Sequence, residues 1–400
     1  MIKVAVLGYG TVGSGVAEVL DRNRELIAKR VGDTVEVSYI LDLRDFPGDK
    51  FEDRVVHDVN VILNDPDVSI VCETMGGKNP AYQFTKDALE KGKSVCTSNK
   101  ELVAAHGPEL LETARKNHCT YLFEASVGGG IPILRPMNSS LAPEKIEKIT
   151  GILNGTTNYI LTRMAKEGAS FEDVLKEAQE KGYAERNPEA DVEGYDAGRK
   201  IAILSSLMTG KTVDFNKIYT EGITGISTMD FEYAKKLNKT IKLLATSEQT
   251  EEGTAIMVAP FMIDEDNPLS SVNGVFNAVC VKGNMVGDLM FYGRGAGKLA
   301  TASAVVSDVM ECAKHPGETV DTIWEAEELE LADTGDSRRK FFVRASVADR
   351  GAAINCFKNV REVHVTDEEF GFITDLMTEK EFRKRIAGIR NVLSMIRCEN

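Results

Sequence analysis

The sequence predicts an α/β chain in three parts. A parallel-sheet domain spans residues 1–136 and is completed by 292–316, an α+β domain with an open sheet spans 137–291, and a small α+β domain spans 317–400. Three observations predict this. Short apolar runs alternate with helical patterns through the first 140 residues, a glycine-rich turn follows the first run directly, and longer strand-like runs take over beyond Pro136.

In the first part, Lys3–Leu7, Val35–Leu41, Ser69–Cys72, Ser94–Thr97 and Thr120–Phe123 read as strands. Between them Thr11–Ala28, Pro80–Lys91 and Gly107–Asn117 carry apolar residues at helical spacing. Strands separated by helices of that length build a parallel sheet with crossover helices. The first crossover is Gly8-Tyr9-Gly10-Thr11-Val12-Gly13, a GxGxxG that leaves a strand and opens a helix. Gly8 permits the tight turn, Gly10 lets a pyrophosphate approach the backbone, and Gly13 allows helix and strand to pack closely. The N–H groups around Thr11 and Val12 then face the phosphates. This is a Rossmann-type context for a dinucleotide, with a structural glycine turn as the alternative reading.

The second strand runs into Leu41-Asp42-Leu43-Arg44-Asp45. An acid there bonds ribose hydroxyls and favours NAD, whereas an arginine welcomes the 2′-phosphate of NADP, so Asp42 and Arg44 pull in opposite directions. Thr74 and Met75 follow the third strand and Lys100 follows the fourth. Both places lie at the carboxyl ends of parallel strands, where open α/β sheets bind ligands.

Glu124-Ala125-Ser126-Val127-Gly128-Gly129-Gly130-Ile131-Pro132 ends the alternation. Exposed carbonyls beside one carboxylate suit a hard cation, and a bare backbone turn is the commoner explanation. Ile149–Leu161 reads as a strand, a polar turn and a helix start, with Asn154, Thr156 and Thr157 as caps first and ligands second. The densest charged segment, Gly182–Lys200, passes straight into the apolar helix Ile201–Met208. Asp196 and Lys200 stand four apart, so on a helix they share a face and form an ion pair. A lysine at the start of a buried helix is partly desolvated, held by acids, and suited to exchanging a proton with an alcohol or aldehyde oxygen.

Thr240–Thr246, Thr254–Ile263 and Gly274–Val281 read as the strands of the middle domain. With two or three helices they suggest a sheet with one face covered, and a bare face favours pairing between subunits. In the last part Lys340–Val347 and Glu369–Thr374 read as strands and Thr378–Ile389 as a helix.

Composition narrows the function. Sixty-two acidic against 48 basic residues leave a net charge of −14, which disfavours nucleic acid and anionic membrane surfaces. No apolar run approaches the roughly 20 residues of a membrane helix. The first strand begins at the N-terminus, with no room for a signal peptide. Seven scattered cysteines without a CxxC pair point to reduced thiols in the cytoplasm, and the five histidines form no zinc pattern.

Taken together, GYGTVG, TSNK at 97–100, EASVGGGIP at 124–132, NGTTNYIL at 154–161 and the spacing of Ala178, Gly182, Tyr183, Ala184, Asn187, Pro188, Asp191, Val192, Gly194, Asp196 and Lys200 resemble homoserine dehydrogenase. Phe291–Gly297 and Thr301–Val305 look like that family's return segment to the cofactor, which brings in Gly295. The resemblance covers about residues 1–315. It implies interconversion of L-homoserine and L-aspartate 4-semialdehyde with NAD or NADP, in threonine and methionine synthesis; the bare sheet face, for its part, leads to the expectation of a homodimer or homotetramer. The resemblance further implies that Lys200 is the acid–base group and that Lys100 lies beside substrate and nicotinamide. Glu185 would hold the substrate ammonium, and Asp191 and Asp196 would order the pocket. Glu124 with the carbonyls of Val127, Gly129 and Ile131 would form a monovalent-cation site, taken as sodium. The tail resembles a shortened, divergent ACT module in which Asp349-Arg350-Gly351 stands where a proline-glycine turn is expected. The competing readings are another amino-acid or semialdehyde oxidoreductase, and a silent nucleotide-binding sensor that would have no need of the Glu185, Asp196 and Lys200 set.

Overall fold

A computed structural model describes residues 1–399 and divides the chain into two compact units. One comprises residues 1–145, 202–215 and 291–329, and the other 146–201, 216–290 and 330 onward.

The first unit holds a six-stranded parallel sheet. Its spatial order is Val55–Val56, Val35–Leu41, Ile2–Leu7, Val68–Glu73, Ser94–Thr97 and Tyr121–Leu122, the doubly wound order 3-2-1-4-5-6. Val4, Val6, Val37, Ile40, Ile70 and Cys72 share its core with Val16 and Leu20 of helix Thr11–Arg22 and with Ala302, Val305 and Val309 of helix Lys298–Lys314. The two helices touch where side chains are smallest: a Cβ added to Gly15 would lie 2.8 Å from the Lys298 carbonyl oxygen and 2.9 Å from Ala302 Cβ.

Three local differences from the sequence reading have plain causes. The expected Thr11–Ala28 helix is two helices, Thr11–Arg22 and Arg24–Val31, interrupted at Asn23. Strand Val55–Val56 and helix Val59–Asn64 are too short to leave a periodic signal. Helix Lys100–Lys116 starts seven residues before the expected Gly107. Its true start is set by Asn99, whose side-chain oxygen accepts the Leu102 N–H at 3.1 Å, and the helix runs on through the Gly107-Pro108 pair.

The second unit is built on one mixed sheet ordered Gly287–Arg294, Phe276–Gly283, Ile146–Ile152, Lys239–Thr250, Gly253–Asp264, Val392–Cys398, Arg338–Ser346, Glu369–Ile373 and Arg361–Val363. The last four strands, with helices Arg350–Phe357 and Glu379–Ile386, form a βαββαβ module of order 4-1-3-2, all neighbours antiparallel. Phe341, Val343, Phe370 and Phe372 meet Phe357 and Phe382 in its core, with the Phe341 and Phe382 rings stacked at 3.9 Å. The turn read at Asp349–Gly351 is in fact the entry to helix Arg350–Phe357. The module does not stand apart as the expected third part: its strand Val392–Cys398 pairs in parallel with Gly253–Asp264 through Phe261↔Arg397 and Met262↔Cys398, and so prolongs the neighbouring sheet.

The bare sheet face expected in the middle of the chain is absent from the two longest strands. Ile241–Ser247 and Ile256–Ile263 are buried residue after residue, so both faces are covered. One face meets helix Gly155–Glu167 through Lys242 and Asn158, and the other meets the turn at Gly194, where an added Cβ would lie 3.1 Å from Val258 Cγ1. Edge strand Gly287–Arg294 keeps a half-exposed, alternating pattern.

Lys242 is buried with no carboxylate beside it. Its ammonium donates to the Val272 carbonyl at 2.6 Å, Asn273 Oδ1 at 3.2 Å and Asn158 Oδ1 at 3.3 Å. Burial, reinforced by Lys166, lowers its pKa from 10.5 to about 8. Above that value the folded amine is neutral while the unfolded one still binds its proton, so folding is favoured as pH rises from about 8 to 10.5. The wild-type unfolding free energy should therefore climb by up to about 3 kcal/mol relative to Lys242→Met over that window. Parallel denaturation curves for the two proteins would exclude it.

Candidate active site

In the first unit the strand-to-helix turn is shaped by its glycines. Gly8 takes φ +89°, which an L side chain rarely adopts. A Cβ on Gly13 would lie 1.9 Å from the Gly8 carbonyl oxygen and 2.8 Å from Thr74 Oγ1, so only glycine fits. Gly10 has nothing within 4 Å of its Cβ position, and helix Thr11–Arg22 has no side-chain cap at Gly10. The N–H groups at Thr11 and Val12 are thus left for an anionic ligand, which suits a pyrophosphate. Thr74 braces the turn by donating to the Leu7 and Gly8 carbonyls at 3.0 and 2.8 Å.

The crevice floor beside it is organised by Glu73, which is fully buried. Its carboxylate accepts from Thr97 Oγ1 at 2.6 Å and from the Met75 N–H at 2.8 Å, and burial raises its pKa. Met75 and Thr97 are thereby tied across adjacent strand ends. Asn99 links the same region by donating to the Gly77 carbonyl at 2.6 Å, and Lys100 is the first residue of the helix that Asn99 caps.

At the second strand end, Asp42 and Arg44 face each other. Arg44 Nε and Nη2 each donate to the Asp42 carboxylate at 3.0 Å, and the Tyr9 N–H donates to it at 2.9 Å. The Arg44 guanidinium holds the Asp42 carboxyl well below the usual range, against a desolvation effect that works the other way. Arg44 also lies over the Phe46 ring at 5.1 Å.

The glycine loop is organised around the Glu124 carboxylate. This carboxylate accepts the N–H groups of Ile133, Leu134 and Arg135 at 2.5, 2.9 and 2.7 Å, binding the N-terminus of helix Leu134–Asn138. Gly128 and Gly129 have φ of +73° and +54°, and a Cβ on Gly129 would lie 2.4 Å from the Gly295 carbonyl oxygen. Gly295 thus seats the return segment on the loop, and the Gly130 N–H to Arg294 carbonyl bond of 3.1 Å holds it there.

In the second unit the charged segment closes on itself. Lys200 Nζ donates to Asp196 Oδ2 and to the Leu153 carbonyl, both at 2.7 Å. Asn154 Nδ2 donates to Asp196 at 2.9 Å and to Asp191 at 2.7 Å, while its Oδ1 caps helix Gly155–Glu167 by accepting the Thr157 N–H at 2.9 Å. Asp196 is buried and Lys200 half-buried. The pair expected from the four-residue spacing has formed, and Asn154 is both cap and bridge. Glu185 is exposed, and its carboxylate makes no hydrogen bond or ion pair among the described residues.

Comparison with known proteins agrees with this layout. Residues 8–124 match the family model described as homoserine dehydrogenase, NAD binding domain, and residues 132–310 match that described as homoserine dehydrogenase. The homoserine dehydrogenase of Helicobacter pylori is 36% identical, the alignment covering 100% of this chain and 99% of that one. That of Bacillus subtilis is 42% identical over 78% of this chain and 73% of its own. The crystal structure of a homoserine dehydrogenase from Thiobacillus denitrificans superposes with a TM-score of 0.91 at 34% identity, covering 100% of this chain and 98% of that one.

The chain belongs to the homoserine dehydrogenase family. It is an NAD(P)-dependent oxidoreductase acting on a CH–OH group, with the family's place in amino-acid biosynthesis. A hyperthermophilic archaeal homoserine dehydrogenase solved in complex with NADPH has a TM-score of 0.65 at 26% identity, over 78% of this chain and 97% of its own. Within this homoserine dehydrogenase fold, sequence reasoning missed the Leu153 carbonyl as a partner of Lys200, because a main-chain acceptor leaves no mark on residue identity. It also left Glu73 unassigned, although an acid closing a mostly apolar strand was a visible signal.

Proposed function

We propose that Lys200 is the acid–base group in the interconversion of L-homoserine and L-aspartate 4-semialdehyde. The observation that carries this is its donor count. An ammonium has three N–H groups, two are committed to Asp196 and the Leu153 carbonyl, and one remains for the substrate oxygen. The bound nicotinamide supplies or accepts the hydride at the carbon bearing that oxygen. In the reductive direction Lys200 gives its proton to the oxygen as negative charge develops, and in the oxidative direction its neutral amine removes the hydroxyl proton. Asp196 keeps the side chain aimed. Asp191, tied to Asp196 through Asn154, orders the same pocket. Glu185, an uncommitted carboxylate in the same segment, receives the substrate ammonium, and Lys100 serves beside substrate and nicotinamide.

Lys200→Ala should lower kcat for homoserine oxidation by about 10²–10⁴-fold, the usual worth of a positioned acid–base group, with cofactor Kd unchanged. Glu185→Gln should act mainly on the KM for homoserine. Steady-state kinetics and cofactor fluorescence measure both. Near-wild-type turnover by Lys200→Ala would transfer the proton role elsewhere.

Cofactor choice follows from the Asp42–Arg44 pair. The guanidinium that would meet a 2′-phosphate is held by Asp42, whose charge also repels that phosphate, so we propose a preference for NAD with NADP accepted more weakly. Asp42→Ala frees Arg44. It should raise kcat/KM for NADP relative to NAD by roughly tenfold, the worth of one charge-assisted hydrogen bond. An unchanged ratio would remove Asp42 as the determinant.

Three further assignments complete the reading. Sodium is held by the carbonyls of Val127, Gly129 and Ile131, with Glu124 bracing the loop. The edge strand Gly287–Arg294 with its exposed Met290, and the exposed Met285 and Val286 just before it, support pairing with a second copy as a homodimer, or a homotetramer built from it. The βαββαβ order of the tail supports its reading as a divergent ACT-like module, and no helix among the described residues is long and apolar enough to cross a membrane, in keeping with a cytoplasmic enzyme. Replacing sodium by tetramethylammonium should depress turnover, and light scattering of Met290→Glu should show a smaller species than wild type. Equal rates would refute the cation, and equal masses the edge contact.

A further inference from the structure

We propose that Arg397, on the last strand of the C-terminal module, is a positioning residue for the Lys200 centre, acting through segment Tyr219–Ile223. The inference rests on the proposed role of Lys200.

Arg397 is completely buried, and its guanidinium is spent on three partners. Nε and Nη2 donate to the Glu379 carboxylate at 3.0 and 2.6 Å, Nη1 donates to Glu221 Oε2 at 2.6 Å, and Nη2 donates to Tyr219 Oη at 3.0 Å. The guanidinium also lies over the Tyr219 ring at 4.9 Å, and Tyr219 in turn donates to Glu221 Oε2 at 3.0 Å. Glu379 is itself buried at the start of helix Glu379–Ile386. A buried arginine with its charge shared between two carboxylates is expensive to disturb, because removing either side leaves an uncompensated charge. The fork therefore holds Tyr219 and Glu221 in a single geometry.

From there the contact is steric and backbone-mediated. Tyr219 and Thr220 pair with Met257 and Val258, and the Glu221 N–H donates to the Val258 carbonyl at 2.8 Å. The Ile223 N–H then donates to the Val192 carbonyl at 2.8 Å. Gly222 lies against the same turn so closely that an added Cβ would be 2.2 Å from the Val192 oxygen and 2.6 Å from Glu193 Cα. Gly194 closes the contact, since its own Cβ position is 3.1 Å from Thr220 Cγ2. The stretch Val192–Gly194 joins Asp191 to Asp196, the two carboxylates bridged by Asn154, and Asp196 holds Lys200. The C-terminal module is thus mechanically upstream of the acid–base group.

Two variants test the link without touching the catalytic set. Gly222 is not at a positive φ, so Gly222→Ala meets only the clash with Val192 and Glu193. Glu221→Gln removes one charge from the fork at a partly exposed position. Each should lower kcat for homoserine at least tenfold, displace the pH profile of kcat, and leave the Kd for NAD within twofold. Hydrogen–deuterium exchange of the intact variants should rise in peptides spanning residues 191–200. Wild-type kcat, pH profile and exchange in both folded variants would overturn the proposal. The two readings separate cleanly. Activity retained by Lys200→Ala refutes the acid–base assignment alone, and exchange at 191–200 then still decides whether the fork positions that segment.

Discussion

The site depends on one short bond, from the Lys200 ammonium to the Asp196 carboxylate at 2.7 Å. A buried ion pair of this kind gains little by itself, since desolvation offsets the attraction unless other hydrogen bonds complete it. Here they do. The Leu153 carbonyl takes a second ammonium proton, and the Asn154 amide donates to both Asp196 and Asp191. Asn154 is also the cap of helix Gly155–Glu167, so its amide has no freedom to turn away. The pair is held by elements that would form without it: a strand end, a helix start, and a turn pinned between glycines.

The nucleotide side is organised on a different principle. Its recognition surface is mostly space kept clear: Gly13 touches Gly8, and Gly10 faces nothing. At the rim Asp42 and Arg44 neutralise each other. One surface is therefore made by deleting side chains and the other by linking polar groups into a cluster.

The C-terminal module shows how sheet continuity alters what a domain boundary means. Two parallel residue pairs join its strand to the neighbouring sheet, and Arg397 sits at that junction. A tail that its strand pattern sets apart is joined to the neighbouring sheet once its last strand is placed. The module's fold is a complete βαββαβ unit, but its buried charge is answered by Glu221 from outside it.

Much of this was legible in the chain itself. The alternation of apolar runs with helical patterns, the strand-turn-helix context of Gly8–Gly13 and the four-residue spacing of Asp196 and Lys200 are local signals, carried by the period of the backbone. The same local view misjudged Gly107-Pro108 as a helix boundary, left Val55–Val56 unseen, and expected a bare sheet face where Ile241–Ser247 is buried on both sides. It also gave no sign that three N–H groups of a later helix bond the Glu124 carboxylate. Residue identity and spacing determined which groups are available and which faces they share. Which acceptor each donor finds, such as Leu153 for Lys200 or Glu221 for Arg397, was decided only by the tertiary structure, because those partners are distant in sequence and a buried polar group takes whichever partner packing brings within reach.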